Sequence, residues 1–86
     1  MRTKQQIRSD RAILKNLRCV PAGYLLPEDV LRSDAPRFAD PALAQTEIDD
    51  SLLYLAAQKR IASIATETGI KYQLTDAGRL WLAENL

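Results

Sequence analysis

The apolar positions along the chain change period several times, and each change marks an element. Between about Lys4 and Cys19, Ile7, Ile13, Leu14 and Leu17 fall on one face at 3.6-residue spacing, which predicts an amphipathic helix. Val20-Pro21-Ala22-Gly23 ends it, because proline cannot continue the hydrogen-bond ladder and glycine tolerates a positive φ. Tyr24-Leu25-Leu26 is an apolar piece of the length of a short first strand. Pro27-Glu28-Asp29 opens a second helix, with proline at the first helical position and two acids at the positive end of the helix dipole. Its inward residues are read as Val30 and Leu31. The stretch from Ser33 to Ala44 holds Pro36 and Pro41 and reads as a long turn, longer than that of a minimal helix-turn-helix.

Thr46, followed three residues later by Asp49, resembles a capping box with Asp in the Glu/Gln place. It predicts a third helix to about Gln58, with Ile48, Leu52 and Leu55 inward. Ile61 to Thr66 and Ile70 to Leu74 then alternate with the period of strands. They flank Glu67-Thr68-Gly69, a short loop with glycine where a positive φ is needed. Thr75-Asp76 caps a last helix from Ala77 to Asn85. The fold class is therefore α+β: three helices, an antiparallel β-hairpin and a C-terminal helix, in one domain over residues 1–86. Leu14, Leu17, Ile48, Leu52, Leu55, Ile61, Leu74 and Trp81 are the expected core.

Composition narrows the chemistry. The chain has 86 residues of which 47% are apolar, enough for one compact core. There is no run of about 18 apolar residues to span a membrane. The basic N-terminus lacks the apolar stretch of a signal peptide, so the expected address is the cytoplasm. Histidine is absent, which removes the commonest general base and the commonest metal ligand together. The one cysteine, Cys19, cannot form an internal disulfide or a zinc site, and reads as a small core residue. The expectation is a non-enzyme with no metal and no cofactor.

Charge is segregated. Residues 1–20 carry six basic groups and one acid, residues 21–58 two and seven, and residues 59–86 four and three. On the first helix Lys4, Arg8, Arg11, Lys15 and Arg18 lie within about 80° of one another at ~100° per residue. That stripe suits phosphates or an acidic partner. It equally suits a solvated helix flank neutralised by the acidic middle of the same chain.

The string LLYLAAQKRIASIATETGIKYQLTDAGRLWLAE resembles the third helix, wing and closing helix of winged helix-turn-helix regulators of the MarR and ArsR type. Leu52, Leu55 and Ile61 match the first part of that pattern; Tyr72, Leu74, Thr75 and Gly78 match the second. The start, RAILKNLRCVPAGYLLPEDVL, is similar to small ArsR-like proteins of Mu-like prophages. Lys59 departs from the pattern, standing where those families have a glycine. The cysteine-rich box of the metal sensors is also missing.

The resemblance implies a small phage- or bacterium-encoded transcription regulator that binds double-stranded DNA as a homodimer. Fold alone does not fix the task, and the residues pull in two directions. A helix-turn-helix reads bases with the start of its second motif helix, here Gln45, Thr46, Glu47, Asp49, Asp50 and Leu53. Three carboxylates there oppose a polyanion, at about 1 kcal/mol per unit-charge repulsion at ~4 Å in water. The expected DNA contacts are therefore Lys4, Arg8, Arg11, Lys15 and Arg18, with Gln45, Thr46 and the wing residue Lys71. The alternative is a protein-interaction or assembly module without DNA binding, using Leu53 and Tyr54 on the outside of the third helix. Tyr54 could instead pack under the 33–45 turn. On the last helix Ala77, Leu80, Trp81 and Glu84 form one stripe, and Leu82 and Leu86 another. The second stripe serves a homodimer interface, docking onto another protein, or the completion of a small core.

Overall fold

A computed structural model describes residues 1–85; Leu86, one of the expected interface residues, lies outside them. The chain is α+β, with helices α1 (Lys4–Arg18), α2 (Glu28–Asp34), α3 (Gln45–Ala57) and α4 (Asp76–Glu84). Three strands, β1 (Leu26–Pro27), β2 (Ile61–Thr66) and β3 (Gly69–Leu74), form one antiparallel sheet in the order β1-β3-β2. Three helices precede the β2–β3 hairpin and one follows it, as the hydrophobic pattern predicts.

Helix α1 starts where Thr3 accepts from the Gln6 N–H at 3.1 Å while the Gln6 side chain accepts from the Thr3 N–H at 2.9 Å. This reciprocal box satisfies two amide donors that no helical carbonyl can reach. Ile13, Leu14 and Leu17 point from α1 into the core, with Ala12 beside them. Facing them are Leu31 of α2, Ile48, Leu52 and Leu55 of α3, Ile61, Tyr72 and Leu74 of the sheet, and Leu82 of α4.

Several boundaries differ from the sequence reading. Pro27 is not the first helical residue of α2 but its N-cap, and it doubles as the end of β1. Of the pair expected inward, Leu31 is buried and Val30 is exposed. The stretch after Ser33 is more ordered than a turn: α2 runs on to Asp34, a 3₁₀ turn spans Ala35–Phe38, and Ala35 and Leu43 join the core. Helix α3 begins one residue before Thr46. Its N-cap is Ala44, whose N–H donates to the Glu47 carboxylate at 3.0 Å. Leu43 and Ile48, both buried, occupy the positions of a hydrophobic staple across that start. Cys19 caps the C-terminus of α1 and is exposed, because the chain has already left the core there.

The end of α3 explains the odd lysine. Lys59 takes φ 58°, the left-handed region that glycine normally fills. Its N–H donates to the Ala56 carbonyl at 3.0 Å, and the Arg60 N–H reaches the Leu55 carbonyl at 2.9 Å. Those two bonds make a Schellman motif with lysine at the left-handed position. The hairpin then pairs Ile61 with Leu74 and Ser63 with Tyr72. Its inward face is buried at the base, and the tip extends past the core, leaving Ala65 and Ile70 exposed. Gly69 supplies the positive φ, at 118°.

Candidate functional site

The segregated charges of the sequence meet across the α1–α3 contact. Arg8 pairs with Glu47 at 3.5 Å and also donates to the Pro41 carbonyl. Gln5 donates to the same Glu47 carboxylate at 3.2 Å, and Gln6 lies 3.5 Å from Asp50. Between the helices the Ser51 hydroxyl donates to Ser9 Oγ at 2.8 Å, and Ser9 to the Glu47 carbonyl at 3.0 Å. Glu47 is held below the usual carboxylate range, first by the Ala44 N–H and then by Gln5 and Arg8, against the opposing effect of burial.

Arg2, outside the stripe read from the sequence, closes this seam. Its guanidinium bonds both oxygens of Asp10, at 2.6 and 3.0 Å, and reaches Asp50 at 2.9 Å and Ser51 Oγ at 3.3 Å. The Asp10 side chain is only 2% exposed, so its charge is carried almost wholly by Arg2. The same guanidinium lies 4.0 Å over the Tyr54 ring. Tyr54 is thus not a bare outer surface; it is half-buried beneath Arg2, with Arg60 5.8 Å from its centroid.

The third carboxylate of α3 is also engaged. Asp49 pairs with Arg32 of α2 at 2.6 Å, and Gln45 exchanges hydrogen bonds with the Arg32 backbone and side chain at 3.1 and 3.4 Å. Glu47, Asp49 and Asp50 each therefore face an arginine, which offsets part of the negative charge at the start of α3. Arg32 also lies 3.7 Å from Glu28, which accepts from the Tyr72 hydroxyl at 2.8 Å. Burial, then that carboxylate, pushes the Tyr72 phenol up to about 12. This chain lines a shallow groove whose apolar edge is Leu52 and Leu53. Leu53 stands 76% exposed, as expected of an outward residue.

The five stripe residues of α1 do not share one fate. Arg8 is taken up by Glu47, and Arg11 donates to the Asn85 carbonyl at 2.7 Å, tying α1 to the end of α4. Lys4, Lys15 and Arg18 have no carboxylate partner among the described residues, nor does Lys71 on β3. Thr46 is exposed beside Gln45 at the start of α3.

Helix α4 resolves the two apolar stripes. Leu82 is 1% exposed and belongs to the chain's own core, so it is not an interface residue. Trp81, expected in the core, is half-buried with Arg60 5.6 Å from its ring. The reason is Gly78, one turn before Leu82: a Cβ there would overlap the Arg60 carbonyl. That close approach seats the Gly78–Leu82 face inward and turns Leu80 out, 63% exposed.

Sequence reasoning missed Arg2, Asp10, Ser51 and Arg32. The signal available was the excess of acids in residues 21–58 against the excess of cations in residues 1–20. Among the described residues no helix is long and apolar enough to cross a membrane. No protein-family model matches the chain, and no curated protein does either.

Proposed function

We propose that the chain is a small winged-helix transcription regulator of phage or bacterial type, acting in the cytoplasm, which holds duplex DNA through the outer edge of α1 and the hairpin as its wing. The helix order and the three-stranded sheet are compatible with that fold. The observation that carries the reading is the split in the ion pairs. Arg2 and Arg8 are consumed by carboxylates along the α3 seam, while Lys4, Lys15, Arg18 and Lys71 keep their charge for a polyanion. Lys4 and Arg18 are 14 residues apart on one helix, about 21 Å at ~1.5 Å per residue, a span of about six base-pair steps. Backbone contacts of this kind position a protein without reading sequence.

A salt titration against random duplex DNA tests the proposal. Four neutralised phosphates give a log-log slope of about −3.6, so affinity should fall about 150-fold between about 50 and 200 mM salt. A slope near zero would reject DNA binding. The domain acts as a homodimer through the Leu80 and Trp81 side of its last helix; sedimentation should report twice the chain mass, and a Leu80→Glu variant half of that.

A second reading, a protein-interaction module, is favoured by one feature. Leu53 projects from the middle of the outward face of α3 beside the groove over Tyr72. Exposed apolar residues so placed are common at protein interfaces. If the wild-type chain ignores DNA at low salt, Leu53 is the first residue to substitute in a partner assay.

A further inference from the structure

Helices α1 and α4 lie side by side and antiparallel: Arg11 reaches the Asn85 carbonyl at one end, and Arg79 lines a small cavity with Leu17, Val20 and Tyr24 at the other. Arg79 thus stands beside the C-terminal turn of α1, the turn that carries Lys15 and Arg18. It is exposed, and it has no carboxylate or carbonyl partner among the described residues. The contrast with the opposite side of α1 is the informative part. Toward α3 the two cations Arg2 and Arg8 face three acids, Arg2 between Asp10 and Asp50 and Arg8 on Glu47. Toward α4 no such ion pair occurs among the described residues; the nearest acid in sequence, Asp76, lies one turn before Arg79 and pairs with none of these cations.

We infer that Arg79 completes a phosphate-binding ridge with Lys15 and Arg18, so that the DNA backbone lies across the α1–α4 edge of the domain. This rests on the DNA reading above and adds to it a residue from a second element. The ridge fits a nucleic-acid backbone because its charges are spread along an edge. Arg18 follows Lys15 by three residues, one helical turn at ~5–6 Å, and Arg79 extends the row onto the neighbouring helix. An arginine there can also grip a phosphate with two N–H groups at once.

The test is Arg79→Gln in the full chain, titrated with salt against random duplex DNA beside wild type, Arg79→Lys and Arg37→Gln. A fifth phosphate contact takes the wild-type slope to about −4.5. Arg79→Gln should flatten the slope by about 0.9, so that it loses about 3.5-fold less affinity than wild type between about 50 and 200 mM salt. Arg79→Lys should keep the wild-type slope, and Arg37→Gln, on the exposed 3₁₀ turn, should leave it unchanged. If Arg79→Gln leaves the slope intact while Lys15→Gln and Arg18→Gln flatten it, the ridge ends at α1 and the DNA reading survives. If wild type shows no salt-dependent binding, both fall. Equal binding to anionic lipid vesicles would overturn DNA as the occupant.

Discussion

The Thr75 hydroxyl donates to the Lys59 carbonyl at 2.6 Å while accepting from the Gly78 N–H at 3.1 Å. One side chain thus caps α4 and fastens it to the left-handed residue that ends α3. The Thr75 N–H adds a bond to the Arg60 carbonyl at 3.3 Å, and Gly78 packs against that same carbonyl. The threonine and glycine of the Leu74-Thr75-Asp76-Ala77-Gly78 stretch have a physical role here: they build the joint between the third and fourth helices.

That joint predicts two glycine substitutions of opposite sign. Lys59→Gly removes a left-handed penalty of about 1–2 kcal/mol, offset by the extra chain entropy of glycine, about 0.5–1 kcal/mol. The net gain should be about 0.5–1 kcal/mol, a rise of a few degrees in thermal midpoint for a domain of this size. Gly78→Ala instead forces a methyl into the Arg60 carbonyl, which is backbone and cannot swing aside. It should cost about 3 kcal/mol or more. Thermal unfolding by circular dichroism measures both, and a neutral Gly78→Ala would show that the α3–α4 joint is looser than described.

Asp10 and Asp50 share Arg2 but differ in burial, and their alanine variants should differ accordingly. Removing the buried Asp10 leaves Arg2 without its main partner and should cost about 3–5 kcal/mol. Asp50 is half-exposed, its pair is screened by water, and its loss should cost about 0–1 kcal/mol. Urea unfolding separates the two cases. Equal costs would mean that Arg2 does not hold the seam through Asp10.

Tyr72 predicts an alkaline effect. Its phenol ionises at about 12 in the folded chain, against 10.0 for a free tyrosine, because burial and the Glu28 carboxylate both oppose a second negative charge. Between those values the unfolded chain binds fewer protons than the folded one, so stability falls as pH rises. The contribution is complete below pH 10 and is lost on the way to 12. Tyr72→Phe should therefore lose less stability than wild type between those pH values, measured by denaturant midpoints. Parallel losses would contradict the Tyr72–Glu28 contact.

The helices and the hairpin were legible because periodicity carries them: Ile13, Leu14 and Leu17 on α1, Ile48, Leu52 and Leu55 on α3, and the alternation that puts Ile61 opposite Leu74. The cap at Thr75 and the positive φ of Gly69 follow from local chemistry alone. What stayed hidden depends on partners distant in sequence. Trp81 and Leu82 are neighbours about 100° apart on one helix, and the approach of Gly78 to Arg60 decides which of them is buried. The start of α3 was displaced because Glu47 reaches back to Ala44, a residue with no capping side chain of its own. Arg2 bonds Asp10 across eight residues and Asp50 across 48, and no local pattern announces either.

The placement of the interface is the central claim, and amide chemical-shift mapping with random duplex DNA tests it most directly. In low-salt buffer the largest shifts should gather on α1 around Lys4, Lys15 and Arg18, on Lys71 of the hairpin, and on Arg79 of α4. Helix α3 from Gln45 to Leu53, its acids already held by Arg2, Arg8 and Arg32, should change little. Shifts concentrated on Gln45, Thr46, Asp49 and Leu53, with α1 and α4 silent, would contradict the account.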